Sequence, residues 1–226
     1  MSKGKRLKKA RALVDPTREY SVDEAVTLVK QTSTVKFDAA VEMHLRLGTD
    51  TKKAEHIVRA SVVLPFSTGK KRRIAVFCSP EREQEAKTAG ADLIGGAELV
   101  KKIQQTGKVD FDVAITTPDF MKAMATVARI LGPKGLMPNP KSETITTNLS
   151  KAITELQKGK LTFRSDAQGI VHAAVGRVSM GDEELKANIG SFLDAVKKAK
   201  PQELKGTYLK SVTLASSMGP GIRVKI

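Results

Sequence analysis

The residues that could perform acid–base, metal-binding or nucleophilic chemistry are few and widely spaced. The three histidines are His44, His56 and His172, and no two of them have the helical spacing of metal ligands. His44 falls on the polar side of an alternating stretch and His172 in a predicted hairpin, so we interpret both as hydrogen-bonded surface residues. Cys78 lies in an apolar run, which is typical of a small core residue and not of a nucleophile. The spacing therefore predicts no catalytic residue and no metal site.

The glycine-rich stretches do not match the known nucleotide-binding patterns. A phosphate-binding loop requires Gly-x-x-x-x-Gly-Lys followed by Ser or Thr, and neither 90–96 nor 132–135 supplies it. The dinucleotide pattern Gly-x-Gly-x-x-Gly is also absent. We expect no cofactor, but an RNA-modifying or nucleotide-dependent enzyme stays open as the alternative function, because a fold alone never excludes an activity.

Two other loops have an unusual composition. Residues 131–141 combine three prolines, two glycines and two lysines, which favours a shaped, exposed loop over a spacer; a simple turn back onto the preceding helix fits the residues equally well. Residues 216–221, Ser-Ser-Met-Gly-Pro-Gly, leave peptide groups accessible beside two hydroxyls and a thioether. Such a loop could lie against a sugar-phosphate backbone, although the residues by themselves favour a simple hairpin turn.

The charge of the chain points to a polyanionic partner. Its 39 basic and 24 acidic residues give a net charge of +15, and segments 1–67, 68–159 and 160–226 each carry an excess of five positive charges. Aromatic residues make up only 4%, which argues against a surface built from base-stacking platforms. A general nucleic-acid-coating protein would also be basic, and it would bind with an affinity set mainly by salt.

The first residues form a cluster of unopposed positive charges. They are Lys3, Lys5, Arg6, Lys8, Lys9 and Arg11. We interpret this segment as a phosphate-binding arm that frays in solution and becomes ordered on nucleic acid; a solubilising tail is the alternative. The basic start is not followed by the apolar core of a signal peptide, and no apolar run is long enough to span a membrane. The single cysteine fits a reducing compartment. We therefore expect a cytoplasmic protein.

Two kinds of hydrophobic pattern divide the chain. Near both ends, apolar and polar residues alternate, as in 41–47, 161–166 and 208–215, which predicts strands with one buried face. The Ser21-x-x-Glu24 capping box starts a helix through about residue 30, and another helix runs from 181 to about 198. A hairpin is predicted over 161–175, with its turn at 166–169.

The middle of the chain has a different pattern. Residues 74–78 and 113–116 are unbroken apolar runs, typical of strands covered on both faces, and they alternate with helical stretches that include 118–131. We therefore predict an α/β protein, with a discontinuous α/β domain formed by 1–67 and 160–226 and an inserted three-layer, Rossmann-like domain formed by 68–159.

The two unusual loops, together with Val35-Lys36-Phe37-Asp38 and Val41-Glu42-Met43-His44, make the chain resemble a known family. It is similar over nearly its whole length to the lateral-stalk protein family of the bacterial large ribosomal subunit, and 131–138 matches that family's signature loop. The resemblance implies the same division into an RNA-binding terminal domain and an inserted domain.

The resemblance also implies a set of RNA-contacting residues. They are Lys36, Phe37, Glu42, Ser217, Met218 and Gly219, with Arg164, Asp166 and Ser211 as weaker candidates. Phe37 would supply an apolar contact, Lys36 and Arg164 would attract phosphates, and Glu42 would accept a bond from a 2′-hydroxyl or orient a base. The family usually has Thr at the position of Ala40, which puts a side-chain contact there in doubt.

The function implied by the resemblance is structural and regulatory, not enzymatic. Family members bind the ribosomal RNA of the stalk, help deacylated tRNA to leave the exit site, and repress translation of their own messenger RNA. We therefore expect three RNA partners, ribosomal RNA, exit-site tRNA and the operon's messenger, no membrane, and a monomer when the protein is free.

Overall fold

The computed structural model describes residues 4–49, 56–69, 72–157, 159–202, 204 and 206–225. The chain divides into two compact units, each described here by itself. The terminal unit comprises Met1–Gly69 and Leu161–Ile226, and the middle unit comprises Lys70–Lys160. No helix among these described residues has the length and apolar character needed to cross a lipid bilayer.

The strands of the terminal unit are β1 (Ala40–Leu47), β2 (Arg59–Val63), β6 (Lys160–Arg164), β7 (Ile170–Arg177), β8 (Leu209–Ser216) and β9 (Gly221–Val224). Four of them form an antiparallel sheet in the order β7-β1-β8-β9. A second, two-stranded sheet pairs β2 with β6. The helices are α1 (Lys5–Ala12), α2 (Val22–Thr32) and α8 (Asp182–Lys198).

The core of this unit lies between the four-stranded sheet and helices α2 and α8. Val41, Met43 and Leu45 of β1 point into it and are fully buried, together with Val29 of α2 and Phe192 of α8. The predicted capping box is present, because the Ser21 hydroxyl accepts from the Glu24 amide and the Glu24 carboxylate accepts from the Ser21 amide. One face of the sheet is thus covered, and the opposite face is left for other contacts.

The middle unit is a three-layer α/β structure. Its parallel sheet, in the order β4-β3-β5, contains β3 (Ile74–Phe77), β4 (Leu93–Gly95) and β5 (Val113–Thr116). Its helices are α3 (Glu83–Thr88), α4 (Ala97–Thr106), α5 (Met121–Met124), α6 (Ala128–Leu131) and α7 (Leu149–Gln157). Alternate residues of β3 pack into two separate cores, Ile74 and Val76 against α3 and α7, and Ala75 and Phe77 against α4 to α6. Burial on both faces explains the unbroken apolar run.

Three predicted elements differ from the structure. The N-terminal segment is a helix and not a frayed arm. Its half-buried Leu7 and the buried Ala10 and Val14 recur at helical spacing and pack on the unit. Lys3 lies outside the described residues. The 118–131 helix is broken into α5, α6 and 3₁₀ turns at Pro118–Phe120 and Ala125–Val127.

The third difference concerns the predicted hairpin over 161–175. Its turn forms, since Asp166 N–H donates to the Ile170 carbonyl. Beyond the single bridge between Ser165 and Val171, however, the strands separate, and β6 pairs with β2 whereas β7 pairs with β1. Strands that are adjacent in sequence have been divided between two sheets, which local turn residues cannot indicate.

Candidate nucleic-acid interface

The face of the four-stranded sheet that points away from the helices carries a row of polar side chains. Glu42, His44 and Arg46 alternate with the buried residues of β1 and therefore all point to this face. Glu42 and His44 are partly exposed and Arg46 is exposed. The alternation of polar and apolar residues along β1 places these groups on one face. Side chains of the adjacent strands β7 and β8 lie next to them.

The register of β1 with β7 places His44 directly opposite His172. Their Nδ1 atoms are 2.8 Å apart and their ring centroids 5.0 Å apart, so one ring nitrogen donates a hydrogen bond to the other. Partial burial, and then the neighbouring His172, lower the pKa of His44, while the Glu42 carboxylate opposes the shift. Two imidazoles in this geometry hold at most one proton between their facing nitrogens.

A carboxylate stands at each end of this histidine pair. An oxygen of Glu42 lies 3.9 Å from His44 Nε2, and Asp166 Oδ2 lies 3.4 Å from His172 Nε2. Asp166 Oδ1 accepts bonds from the amides of Gln168 and Ile170, and these bonds, led by that from Ile170, lower the pKa of its carboxyl group. Asp166 therefore fixes the turn and orients His172.

The loop between β8 and β9 contacts the end of this row at which Glu42 lies. The Ser217 amide donates to the Ala40 carbonyl at 2.9 Å, and its hydroxyl lies 3.3 Å from Glu42 Oε1. Met218 adopts a left-handed conformation with φ +64°, and its side chain is 70% exposed. A Cβ at Gly219 would lie 2.2 Å from Ser216 Oγ and 3.1 Å from the Ser216 carbonyl oxygen, so a larger residue there would require the Ser216 hydroxyl to move. The loop thus presents a thioether to solvent beside polar groups.

A second loop, 33–39, enters β1 next to this one. It carries Lys36 and Phe37, both exposed, and the Phe37 ring is 57% accessible. The Asp38 carboxylate accepts bonds from the amide and the hydroxyl of Ser179, which anchors the loop to the segment after β7. A single exposed phenylalanine is ordinary on a protein surface, but here a second exposed apolar residue, Met218, lies in the neighbouring loop.

The remaining predicted site residues lie elsewhere on the terminal unit. Ser211 of β8 is opposite Arg46 of β1, two positions along from the histidine pair. Arg164 ends β6, which pairs with β2, the strand that begins at Arg59. Burial, and then the charge of Arg164, lower the pKa of Arg59. Two adjacent guanidinium groups favour an anion at this place. The structure brings Glu42 together with the loop that carries Ser217, Met218 and Gly219, whereas Arg164 lies on β6 of the two-stranded sheet.

The comparison with known families gives the context for this face. The model of the Ribosomal protein L1p/L10e family matches residues 29–220, which includes segments of both units. The chain belongs to this family. Membership in the L1p/L10e family makes it a structural protein of the large ribosomal subunit that binds ribosomal RNA, and it confirms both the predicted resemblance and the α/β fold class.

Sequence reasoning missed two features of this surface. The His44–His172 pair depends on the register of strands 128 positions apart, which period-two patterns alone do not give. The second is Arg6, whose guanidinium reaches the two exposed loops; the spacing of Leu7, Ala10 and Val14 could have indicated that its segment is helical and docked. Among the described residues, no cluster of three His, Cys, Asp or Glu side chains is arranged to hold a metal ion.

Proposed function

We propose that the terminal unit binds the ribosomal RNA of the mobile lateral stalk through the two loops at the Glu42 end of the sheet. One observation carries the proposal: Phe37 and Met218, which are 57% and 70% exposed, are presented by neighbouring loops beside Glu42, Ser217 and Lys36. Apolar side chains on a strongly basic chain favour an RNA partner that covers them. Sugar hydroxyls and phosphates would meet the polar groups around them.

This mode of binding depends on RNA shape. The surface offers Glu42 and Ser217 as hydrogen-bonding groups and peptide groups of the 216–221 loop, and it has few aromatic rings for base stacking. Lys36 and Asp166 extend the polar surface, and Ser211 lies on the same sheet face. Arg164, on β6 of the other sheet, offers a separate positive charge for a phosphate. We expect a folded RNA fragment to be preferred over random RNA by about a thousandfold at fixed salt.

Substitution of the two exposed apolar residues tests the site. Phe37→Ala and Met218→Ala should each weaken binding to a folded stalk fragment by about 1 to 3 kcal/mol, or about 5- to 150-fold, because each side chain becomes desolvated against RNA. Val63→Ala is the matched control, since Val63 is also exposed, at 44%, but lies on β2. Wild-type affinity in both loop variants would show that RNA binds elsewhere.

The same surface supports a second role as a translational repressor. A face that recognises RNA shape accepts any RNA with that shape, so the messenger encoding the protein competes with ribosomal RNA for one site. Cell-free translation of that messenger should fall as protein is added and recover when the stalk fragment is added in excess. Recovery with random RNA instead would contradict competition for a specific site.

The third part of the proposal concerns tRNA. A stalk protein that moves with its RNA would help deacylated tRNA to leave the exit site, and the positive charge of both units suits such a polyanion. Ribosomes reconstituted without this chain should release exit-site tRNA more slowly than ribosomes that contain it. Equal release rates would limit the protein to RNA binding and repression.

A further inference from the structure

Helix α1 brings one guanidinium group between the two exposed loops. Arg6 Nη2 donates to the Met218 carbonyl at 2.9 Å, and Arg6 Nη1 donates to Thr34 Oγ1 at 3.3 Å. Thr34 belongs to the loop that carries Phe37, so a single side chain links both loops. Arg6 itself is held in place because Ala10 of the same helix, and Val14 just after it, are buried on the terminal unit.

The loop that Arg6 contacts has a conformation that needs support. Met218 is one of two described non-glycine residues with positive φ, a backbone state that is unfavourable for a side chain with a Cβ. The amides on either side are fixed, Ser217 N–H to the Ala40 carbonyl and Gly219 N–H to the Ser216 carbonyl. The Met218 carbonyl is the third fixed point, and Arg6 is the group that fixes it.

We infer that Arg6 is a positioning residue for RNA recognition, which holds the Met218 loop and the Phe37 loop in the geometry that RNA binds. The inference rests on the proposed function of these loops. A preorganised loop loses less conformational entropy on binding than one that must first be ordered. The effect of Arg6 therefore comes through the two loops and not through a charge–phosphate contact of its own.

The substitution Arg6→Lys separates position from charge. Lysine keeps the positive charge but lacks the planar fork with which arginine reaches two acceptors at once. We expect Arg6→Lys to weaken binding to the folded stalk fragment about 3- to 10-fold, the size of one or two lost hydrogen bonds. The slope of affinity against salt should stay that of the wild type, because no phosphate contact is lost.

Arg11→Lys is the matched control. Arg11 is an exposed arginine of the same helix, and within the described part of the chain it makes no side-chain hydrogen bond. The Arg11→Lys variant should bind RNA as the wild type does. The thermal unfolding midpoints of both variants verify the fold. The NMR signal of the Met218 methyl group in the free protein reports the conformation of its loop, and we expect this signal to shift only in Arg6→Lys.

A double-mutant cycle with Met218→Ala tests whether Arg6 acts through the loop. If it does, Arg6→Lys should cost much less affinity in the Met218→Ala background than alone. Additive losses, or wild-type affinity of Arg6→Lys, would overturn the inference while leaving the proposed site intact. Wild-type affinity of both Met218→Ala and Phe37→Ala would instead remove the proposed site, and the positioning role with it.

Discussion

At the scale of single residues, the pairing of His44 with His172 has a consequence for stability. In the folded protein, partial burial and the neighbouring imidazole lower the pKa of His44, whereas the unfolded chain has the ordinary value of about 6.5. The unfolded chain therefore binds more protons as pH falls below that value. The stabilising contribution of neutral His44 is therefore present above about pH 6.5 and is lost as pH falls through its lowered pKa.

We predict that the free protein becomes less stable between pH 7.5 and 5.5, and that His172→Ala raises the pKa of His44. Urea unfolding at the two pH values measures the first effect, and NMR titration of the His44 ring measures the second. The pKa of Asp166, which faces the pair, is lowered first by the hydrogen bond from the Ile170 amide, so this carboxyl group does not produce the change. An unchanged His44 pKa in the variant would show that burial alone sets it.

At the scale of elements, helix α8 is tied to its surroundings by one buried amide. The Asn188 side chain donates to the carbonyls of Val175 and Phe66 and accepts from the Phe66 amide, at 2.8 to 3.0 Å. These bonds connect α8 to β7 and to the segment that follows β2. A buried polar group with all its partners specifies one arrangement of three elements.

We predict that Asn188→Ala lowers the free energy of unfolding by about 2 to 3 kcal/mol, because main-chain groups lose their partner in a buried place. Lys197→Ala on an exposed position of the same helix should change it by less than about 0.5 kcal/mol. Denaturant unfolding followed by circular dichroism measures both. Equal stabilities of the two variants would mean that water replaces the amide.

Local sequence patterns predict some elements of this fold and not others. Helix α2 and strand β3 were predictable, because a capping box and an unbroken apolar run are local signals. The separation of β6 from β7 was not, since the pairing of each strand is decided by partners far away in sequence. For the same reason the contact between Ser217 and Glu42 in the candidate site could not be predicted, since it forms only because β8 pairs with β1.

At the scale of the whole molecule, charge and specificity are distributed differently. All nine predicted RNA-binding residues lie in the terminal unit, whereas residues 70–160 hold 16 of the 39 basic and 10 of the 24 acidic groups. The terminal unit alone would keep a net charge of +9. Recognition of RNA shape should therefore belong to one unit, and the general electrostatic attraction to both.

The chain offers a direct way to separate the two contributions. Ser165 N–H donates to the Val58 carbonyl and the Ser165 hydroxyl accepts from the Val58 amide, so β2 and β6 run antiparallel. The end of β2 and the start of β6 then lie side by side, and a short Gly-Ser linker can replace residues 70–160. The terminal unit keeps its own core, formed by the sheet with α2 and α8.

We predict that this shortened protein binds the folded stalk fragment within about tenfold of the full chain at physiological salt, because the loss of six net positive charges weakens mainly the nonspecific attraction. Its preference for folded over random RNA should be preserved or increased. Competition binding at several salt concentrations measures both quantities, with circular dichroism to verify the fold. A folded variant that loses this preference would place part of the RNA-reading surface in the middle unit.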